Sequence, residues 1–193
     1  MKVDEDHPLF VYVPCGVGGA PAGIALGLAA TFGAAAHCFF VEPVQAPCVL
    51  LQMMADPESH PSIYDVGLSG ETEADGMAVP RASLVAVETS RPLISGILTV
   101  KDEDLFRLLA LASDVEGLVL EPSATAGFAV PSVVCGTPAG RAYLNAAGLT
   151  DCISRATHLV WTTGGSLLPS EEHAGFVSRG RAFSTANDHE NIQ

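Results

Sequence analysis

Short apolar runs alternate with glycine-rich and polar segments along the chain, a pattern that predicts buried strands separated by helices. Leu9–Pro14 is rich in β-forming residues and closes at a proline, so it is predicted to be a buried strand. Ile24–Phe32 is predicted to be a helix packed on both sides and stopped by Gly33, and His37–Glu42 is predicted to be the next buried strand. This order is typical of a βαβ unit and therefore of a parallel sheet.

The rest of the chain continues the alternation. Asp102–Val115 carries leucines at helical spacing, and its first three residues are acidic, as the positive end of a helix dipole favours. Leu118–Glu121 and His158–Thr162 are predicted to be short strands, and Ser123–Ala129 the start of a buried helix. Residues 182–193 are polar and without pattern, which predicts a disordered tail. The whole pattern predicts an α/β fold, a twisted parallel sheet with flanking helices.

Composition narrows the class of protein. The formal charge is −13 and only nine lysines and arginines are present, so a nucleic-acid partner is not expected. The five cysteines form no C-x-x-C pair and no metal-ligand cluster with histidine, which favours reduced thiols in a cytoplasmic protein. The apolar stretch from Gly16 to Pro43 is rich in glycine and alanine and broken by Gly33. It is therefore interpreted as loop, helix and strand, and no membrane span is expected.

A glycine-rich segment, Cys15–Gly23, lies between the first predicted strand and the first predicted helix. Small residues let successive backbone N–H groups converge on an anion, and the N-terminus of the following helix adds partial positive charge. Taken alone, the segment fits a phosphate site and a tight turn that needs glycine for its conformation equally well. Its glycine spacing differs from the dinucleotide-binding G-x-G-x-x-G, and it lacks the lysine of a Walker motif. The functional interpretation is therefore a small phosphorylated ligand.

Five sequence blocks together indicate a family. They are His7–Gly23, His37–Pro43 with Pro47 and Cys48, Glu73–Val79, Glu121–Ala124, and Thr157–Gly165. In this order they resemble the bacterial D-serine dehydratases, which are fold-type II pyridoxal-phosphate enzymes. The resemblance implies an incomplete large domain of that fold type (tryptophan synthase β-like) over residues 1–181. It also implies pyridoxal 5′-phosphate as cofactor and elimination of water from D-serine to give pyruvate and ammonia. Another fold-type II amino-acid lyase is the alternative within this class.

The resemblance further implies which residues hold the cofactor. The positions that match the phosphate-binding backbone amides are Gly16, Val17, Gly18, Gly19 and Ala20. Ala20 stands where the family usually has glycine, and its Cβ would crowd the phosphate if its φ had to be positive. Thr163 matches the hydroxyl residue that faces the pyridine nitrogen. A neutral partner there makes the ring a weaker electron sink than a carboxylate would, which favours prompt loss of the β-substituent.

A cation site beside the cofactor is also implied. Glu42, Ala46 and Cys48 match the positions that bind a cation in many relatives. Glu42 would supply a carboxylate, whereas Ala46 and Cys48 would supply backbone carbonyl oxygens, since a thiol suits soft metals. A monovalent cation such as potassium fits this set. The alternative for Glu42 is to cap the short helix that follows, and both interpretations stay open.

The family reaction also needs a lysine that binds the cofactor and moves the α-proton, and in the family this lysine precedes the glycine loop. The two lysines of this chain are Lys2, in an acidic N-terminal segment, and Lys101, just before a predicted helix. Neither has a strand–loop setting that would desolvate an amine, so no catalytic residue is assigned.

The chain alone is therefore expected to be inactive and to cover less than half of the enzyme. Three explanations are open: a gene fragment, a truncated gene model, or a split subunit whose partner is a separate N-terminal portion. The alternative function is that of a non-catalytic remnant that binds phosphate or the cofactor weakly, or binds neither.

Overall fold

The computed structural model describes residues 2–56 and 58–190, and for residues 185–190 only the backbone is considered. Within this part of the chain, four strands form one sheet in the order β3-β2-β1-β4. The strands are β1 (Leu9–Pro14), β2 (Ala36–Pro43), β3 (Ile94–Val100) and β4 (Thr157–Val160). Each neighbouring pair is parallel, so all four carboxyl ends lie along one edge of the sheet. The predicted α/β fold with a parallel sheet is confirmed.

Helices cover both faces of the sheet. They are α1 (Gly19–Phe32), α2 (Cys48–Met54), α3 (Leu84–Ser90), α4 (Asp102–Glu116), α5 (Val130–Gly136), α6 (Pro138–Ala146) and α7 (Ser170–Glu190). Alternate residues of β1 enter opposite cores, as the period of a strand requires. Val11 and Val13 pack in one core with residues of α1, α2 and α3, whereas Phe10 and Tyr12 pack in the other with residues of α4, α5 and α6. The sheet is therefore the middle layer of three.

Helix α1 begins earlier and is less buried than predicted. It starts at Gly19 and not at Ile24, because Gly18 caps it in a left-handed conformation with φ 99° and Pro21 suits a first helical turn. Its buried residues are Pro21, Ala22 and Ala25, whereas Leu26 on the outer side is 51% exposed. The predicted burial on both sides is therefore wrong within this chain. The small side chains of α1 carry no amphipathic pattern from which one buried face could be read.

One predicted strand is absent from the sheet, and one observed strand was not predicted. Leu118–Glu121 joins no strand pair, and its link to the neighbouring segment is a 3.3 Å hydrogen bond from the Glu121 amide to the Gly164 carbonyl. Strand β3 was not predicted, because Gly96 interrupts its apolar run. Gly96 is nevertheless suited to the sheet, since a Cβ there would approach the Phe39 ring to 3.2 Å. The segment Pro122–Ala129 forms the predicted buried helix, although as a 3-10 helix.

The C-terminal segment is helical where a disordered tail was predicted. Helix α7 continues through Ala182 to Glu190, and residues 191–193 lie outside the described residues. The helix is held against α4 by aromatic contacts: the Phe106 ring lies 5.6 Å from that of Phe176 and 6.3 Å from that of Phe183. The Arg179 guanidinium lies 4.1 Å from the Phe106 ring centroid. Because most residues of this segment are polar, the sequence did not predict that Phe176 and Phe183 pack against α4.

Two histidines pack against the core on the α4–α6 side of the sheet, His37 buried and His158 half-buried. The rings of His37 and His158 flank Phe10, each 5.0 Å from its ring centroid. His37 Nδ1 lies 2.8 Å from the Tyr143 hydroxyl, and His158 Nδ1 lies 2.5 Å from the Tyr12 hydroxyl. Burial lowers the pKa of both imidazoles, because a charged ring would lose its hydration there.

We expect His37 and His158 to lower the thermal stability as the pH falls below about 6.5, the ordinary pKa of histidine. Unfolding frees both imidazoles to take up protons, so their contribution to the free energy of unfolding rises with pH. Buried Glu42 contributes a slope of the opposite sign, because its raised pKa makes the folded state bind more protons at that carboxyl group. Melting curves recorded by circular dichroism from about pH 8 to about pH 5 would measure this slope. Replacing both residues (His37→Asn with His158→Asn) should make the slope less positive, because neither position then takes up a proton on unfolding. An equal slope in the double variant would contradict the expectation.

Candidate functional site

The glycine loop leaves the sheet at the carboxyl end of β1 and enters helix α1. Gly18, the N-cap of α1, has φ 99°, a left-handed conformation that favours glycine. A Cβ on Gly18 would also approach the side chains of Val49 and Ala86 to 3.2 Å. Glycine is therefore required here both for the backbone conformation and for space.

Five consecutive backbone amides in this loop are unpaired. Within the described part of the chain, no hydrogen-bond acceptor takes the N–H of any residue from Gly16 to Ala20, whereas the Ala22 N–H bonds to the Gly18 carbonyl at 2.9 Å and begins the helix ladder. Backbone donors at buried positions such as Gly18 are usually paired. A run of free N–H groups at the N-terminus of a helix is suited to an anion.

The glycine loop and Thr163 line one cavity of about 280 Å³. Its walls are formed by Pro14, Gly16–Pro21, Gly76, Met77, Glu121, Ser123 and Thr163. Thr163 comes three residues after β4, and the pairing of β4 with β1 brings it beside the loop. Among the described residues, none is a hydrogen-bond partner of the Thr163 hydroxyl. The predicted cofactor-binding residues thus lie together around one cavity.

Ala20 does not strain the loop. It is the second residue of α1, and none of the non-glycine residues that the structure describes has a positive φ. The Cβ of Ala20 is therefore compatible with the backbone of the loop, and the predicted crowding does not follow from the conformation.

Besides the flanking prolines Pro14 and Pro21, the cavity wall contains four residues that were not predicted as site residues: Gly76, Met77, Glu121 and Ser123. The Glu121 carboxylate lies against Gly164, where a Cβ would be 2.5 Å from Oε1. The family resemblance could have indicated them, because two of the sequence blocks that carry it, Glu73–Val79 and Glu121–Ala124, contain all four.

Glu42 lies at the end of β2 and is fully buried. Its Oε1 accepts the Val49 N–H and its Oε2 accepts the Leu50 N–H, each at 2.8 Å, so it caps the first turn of α2. Burial raises the pKa of Glu42 to about 7, although the two amide hydrogen bonds lower it. The structure thus shows the capping role of Glu42. The Cys48 thiol is a further hydrogen-bond partner of this carboxylate. The cation role stays a prediction.

The other two predicted cation positions are also engaged locally. The Ala46 carbonyl accepts the Cys48 N–H at 3.0 Å. The buried Cys48 thiol donates to the Gly16 carbonyl at 3.4 Å and so contacts the glycine loop directly. Among residues 2–56 and 58–184, no cluster of three or more histidine, cysteine or acidic side chains could hold a metal ion.

Neither lysine reaches the cavity that the glycine loop lines. The Lys2 ammonium forms an exposed ion pair with Asp4 at 2.7 Å. Lys101 lines a separate cavity with Gln45, Asp102 and Glu103, beyond the carboxyl ends of β2 and β3. Among the described residues, therefore, no lysine amine reaches a ligand beside Thr163.

Two solved structures share the fold of this chain. The chain superposes on diaminopropionate ammonia lyase from Escherichia coli, solved in complex with D-serine, with a TM-score of 0.65 and 18% identity. The match covers 90% of this chain and 42% of that enzyme. A fungal L-serine ammonia-lyase from Rhizomucor miehei also has a TM-score of 0.65, with 16% identity over 89% of this chain and 50% of the other. At these identities the comparison shows the fold alone.

The sequence shows the family. Residues 3–142 match the pyridoxal-phosphate dependent enzymes, and the chain belongs to this family. It is 58% identical over 183 residues to a protein of Acidovorax ebreus (strain TPSY) and 52% identical over 182 residues to one of Sinorhizobium medicae (strain WSM419). Both are named probable D-serine dehydratase. The alignments cover 95% and 94% of this chain but 41% of each relative, so the chain spans about two fifths of their length.

The described helices can be compared with what a membrane-spanning helix requires. None of those in the described ranges combines the length and the apolar character that a bilayer crossing demands.

Proposed function

We propose that this chain holds the phosphate and the ring nitrogen of pyridoxal 5′-phosphate in a D-serine dehydratase, which eliminates water from D-serine to give pyruvate and ammonia. The five unpaired amides from Gly16 to Ala20 carry the proposal, because a phosphate dianion satisfies several such donors at once. The names of the relatives at 52–58% identity support the choice of D-serine.

The residues present fit this cofactor. The amides of the loop would bind the phosphate, and the Thr163 hydroxyl would face the ring nitrogen from the same cavity. Gly16 and Gly76 form a close backbone contact in the wall, since a Cβ on Gly16 would lie 3.0 Å from the Gly76 carbonyl oxygen. Glycine at position 16 therefore lets these two segments of the cavity wall approach each other closely.

When bound, the cofactor supplies an electron sink for loss of the β-hydroxyl group. Thr163 would hold the ring through a neutral hydrogen bond and leave the nitrogen without a proton. The two lysines of this chain lie outside the cavity, so proton transfer at the substrate would need an amine from another polypeptide segment. A separate N-terminal portion is therefore the partner that we propose.

A second candidate function is that of a cofactor- or phosphate-binding remnant without catalysis. The positions of Lys2 and Lys101 favour it over an enzyme formed by this chain alone. The two candidates share the phosphate site and differ in whether added N-terminal sequence restores turnover.

We expect the chain to bind pyridoxine 5′-phosphate, which carries the phosphate but no aldehyde and cannot react with surface lysines. Calorimetric titration should give a clearly tighter complex than with pyridoxine, because the loop amides bind the phosphate. No pyruvate should form from D-serine with pyridoxal 5′-phosphate above the rate of the free cofactor.

Equal affinity for pyridoxine and its phosphate would contradict the phosphate site. Pyruvate release by the chain alone, with borohydride fixing the cofactor to Lys2 or Lys101, would contradict the need for a partner. Co-expression with the N-terminal three fifths of a relative distinguishes the two candidate functions.

A further inference from the structure

Three consecutive peptide groups of the glycine loop are held by their carbonyl oxygens. The Gly18 carbonyl accepts the Ala22 N–H at 2.9 Å, and the Val17 carbonyl accepts the Ser83 N–H at 2.9 Å. The Gly16 carbonyl has a different kind of partner, because it accepts from the thiol of Cys48 at 3.4 Å and from that of Cys15 at 3.7 Å. The carbonyl of the first of these three peptide groups is therefore bound by side chains, whereas the other two are bound by backbone N–H groups.

Holding a carbonyl also fixes the next amide. The described peptide bonds include none in the cis form. In a trans peptide the C=O and the following N–H point in opposite directions, so an oxygen turned inward aims the N–H outward. The Gly16 carbonyl turned toward the buried thiols therefore directs the Val17 N–H away from the core.

The Cys48 thiol is suited to this task. Cys48 is fully buried, and its Sγ lies 3.4 Å from the Gly16 carbonyl oxygen. A thiol carries a hydrogen that it can donate to such an oxygen. Its position is set by Glu42, whose carboxylate binds the Val49 and Leu50 amides that follow Cys48 in α2.

We propose that Cys48 is a positioning residue of the phosphate site, whose thiol orients the Gly16–Val17 peptide so that the Val17 N–H faces the anion. Cys15 is the second, longer donor to the same oxygen. This inference rests on the proposed phosphate site and adds to it the group that orients its first amide. It gives the Cys48 side chain a role that a hard cation, bound through backbone oxygens, would not use.

The test compares Cys48→Ala, Cys48→Ser and a matched control, Cys38→Ala, in the whole chain. Cys38 is 1% exposed on β2, and among the described residues none is a hydrogen-bond partner of its thiol. We expect Cys48→Ala to weaken pyridoxine 5′-phosphate binding by roughly two- to five-fold, the effect of one weak S–H···O bond. Affinity for pyridoxine should not change. The Val17 amide resonance in the ¹H–¹⁵N spectrum of the free protein should shift.

Cys48→Ser should recover part of the affinity and part of the Val17 shift, because a hydroxyl also donates. Cys38→Ala should leave both unchanged while removing a similar buried volume. Wild-type affinity in Cys48→Ala, an unmoved Val17 resonance, or an equal loss in Cys38→Ala would overturn the positioning role alone. A wild-type protein that fails to distinguish pyridoxine 5′-phosphate from pyridoxine would overturn the proposed phosphate site, and this inference with it.

Discussion

Replacement of Gly18 by alanine should weaken pyridoxine 5′-phosphate binding by at least about ten-fold, or roughly 1.4 kcal/mol. At φ 99° an alanine is strained by about 1–2 kcal/mol. Its Cβ would also press on Val49 and Ala86, both at 3.2 Å. The backbone can relieve this strain only by rotating, and the rotation turns the Gly18 and Gly19 N–H groups away from the proposed phosphate position. Titration calorimetry measures the loss of affinity directly.

The matched control is Gly23→Ala, in the interior of α1. A Cβ on Gly23 meets no atom within 4 Å, and alanine is the better helix former by up to about 1 kcal/mol. This variant should keep the affinity and melt slightly higher than the wild type. If Gly18→Ala binds as tightly as Gly23→Ala, the left-handed cap is not needed to present the amides.

Replacement of Gly180 by alanine should give the largest loss of stability among single-methyl additions to α7. A Cβ there would overlap the Phe106 carbonyl oxygen, a backbone atom of α4 that cannot rotate away. Overpacking costs about 1–3 kcal/mol, and the overlap places this case near the upper end. The helix propensity of alanine offsets up to about 1 kcal/mol. We therefore expect a net loss of about 2 kcal/mol and a melting temperature lower by roughly 4–8 °C.

Gly175→Ala on the same helix is the control for this change. It makes the same chemical substitution at an exposed position with no atom within 4 Å of the added Cβ. It should raise the melting temperature, by roughly 2–4 °C at most, through helix propensity alone. Opposite signs for the two glycines in thermal melts would establish that α7 docks on α4 through Gly180. Two shifts of the same sign would show that the close approach is absent in solution.

Local patterns predicted the elements whose own residues determine their structure. Strand β1 was predicted with its observed bounds, because its apolar run and closing proline are continuous. Helix α4 was predicted to within one residue, because leucines at helical spacing follow three acidic residues. Where structure depends on distant partners, the sequence was less informative. Strand β3 depends on its parallel pairing with β2, and α7 depends on the aromatic contacts of Phe106.

The candidate site was predictable in part for the same reason. The glycine loop carries its own signal, since an anion site built from consecutive amides needs small residues in an unbroken row. Thr163 has no such signal and was found through the family blocks alone. The contacts of Glu42 and Cys48 are longer-range consequences of how α2 packs behind the loop. No spacing rule shows that a thiol 32 residues away reaches the Gly16 carbonyl.

The pairing of β1 with β4 also determines the order in which the cavity can form. Leu9 lies opposite Thr157 in this pair, so nearly the whole chain must be synthesised before the two strands can meet. Closing so long a loop is entropically unfavourable until other contacts have shortened it, which makes the pairing a late step of folding. A nascent chain that ends before β4 contains the glycine loop but not Thr163. If the proposed site is correct, a ligand can contact both the glycine loop and Thr163 only after β4 has paired, so the onset of binding during refolding would report when β4 joins the sheet.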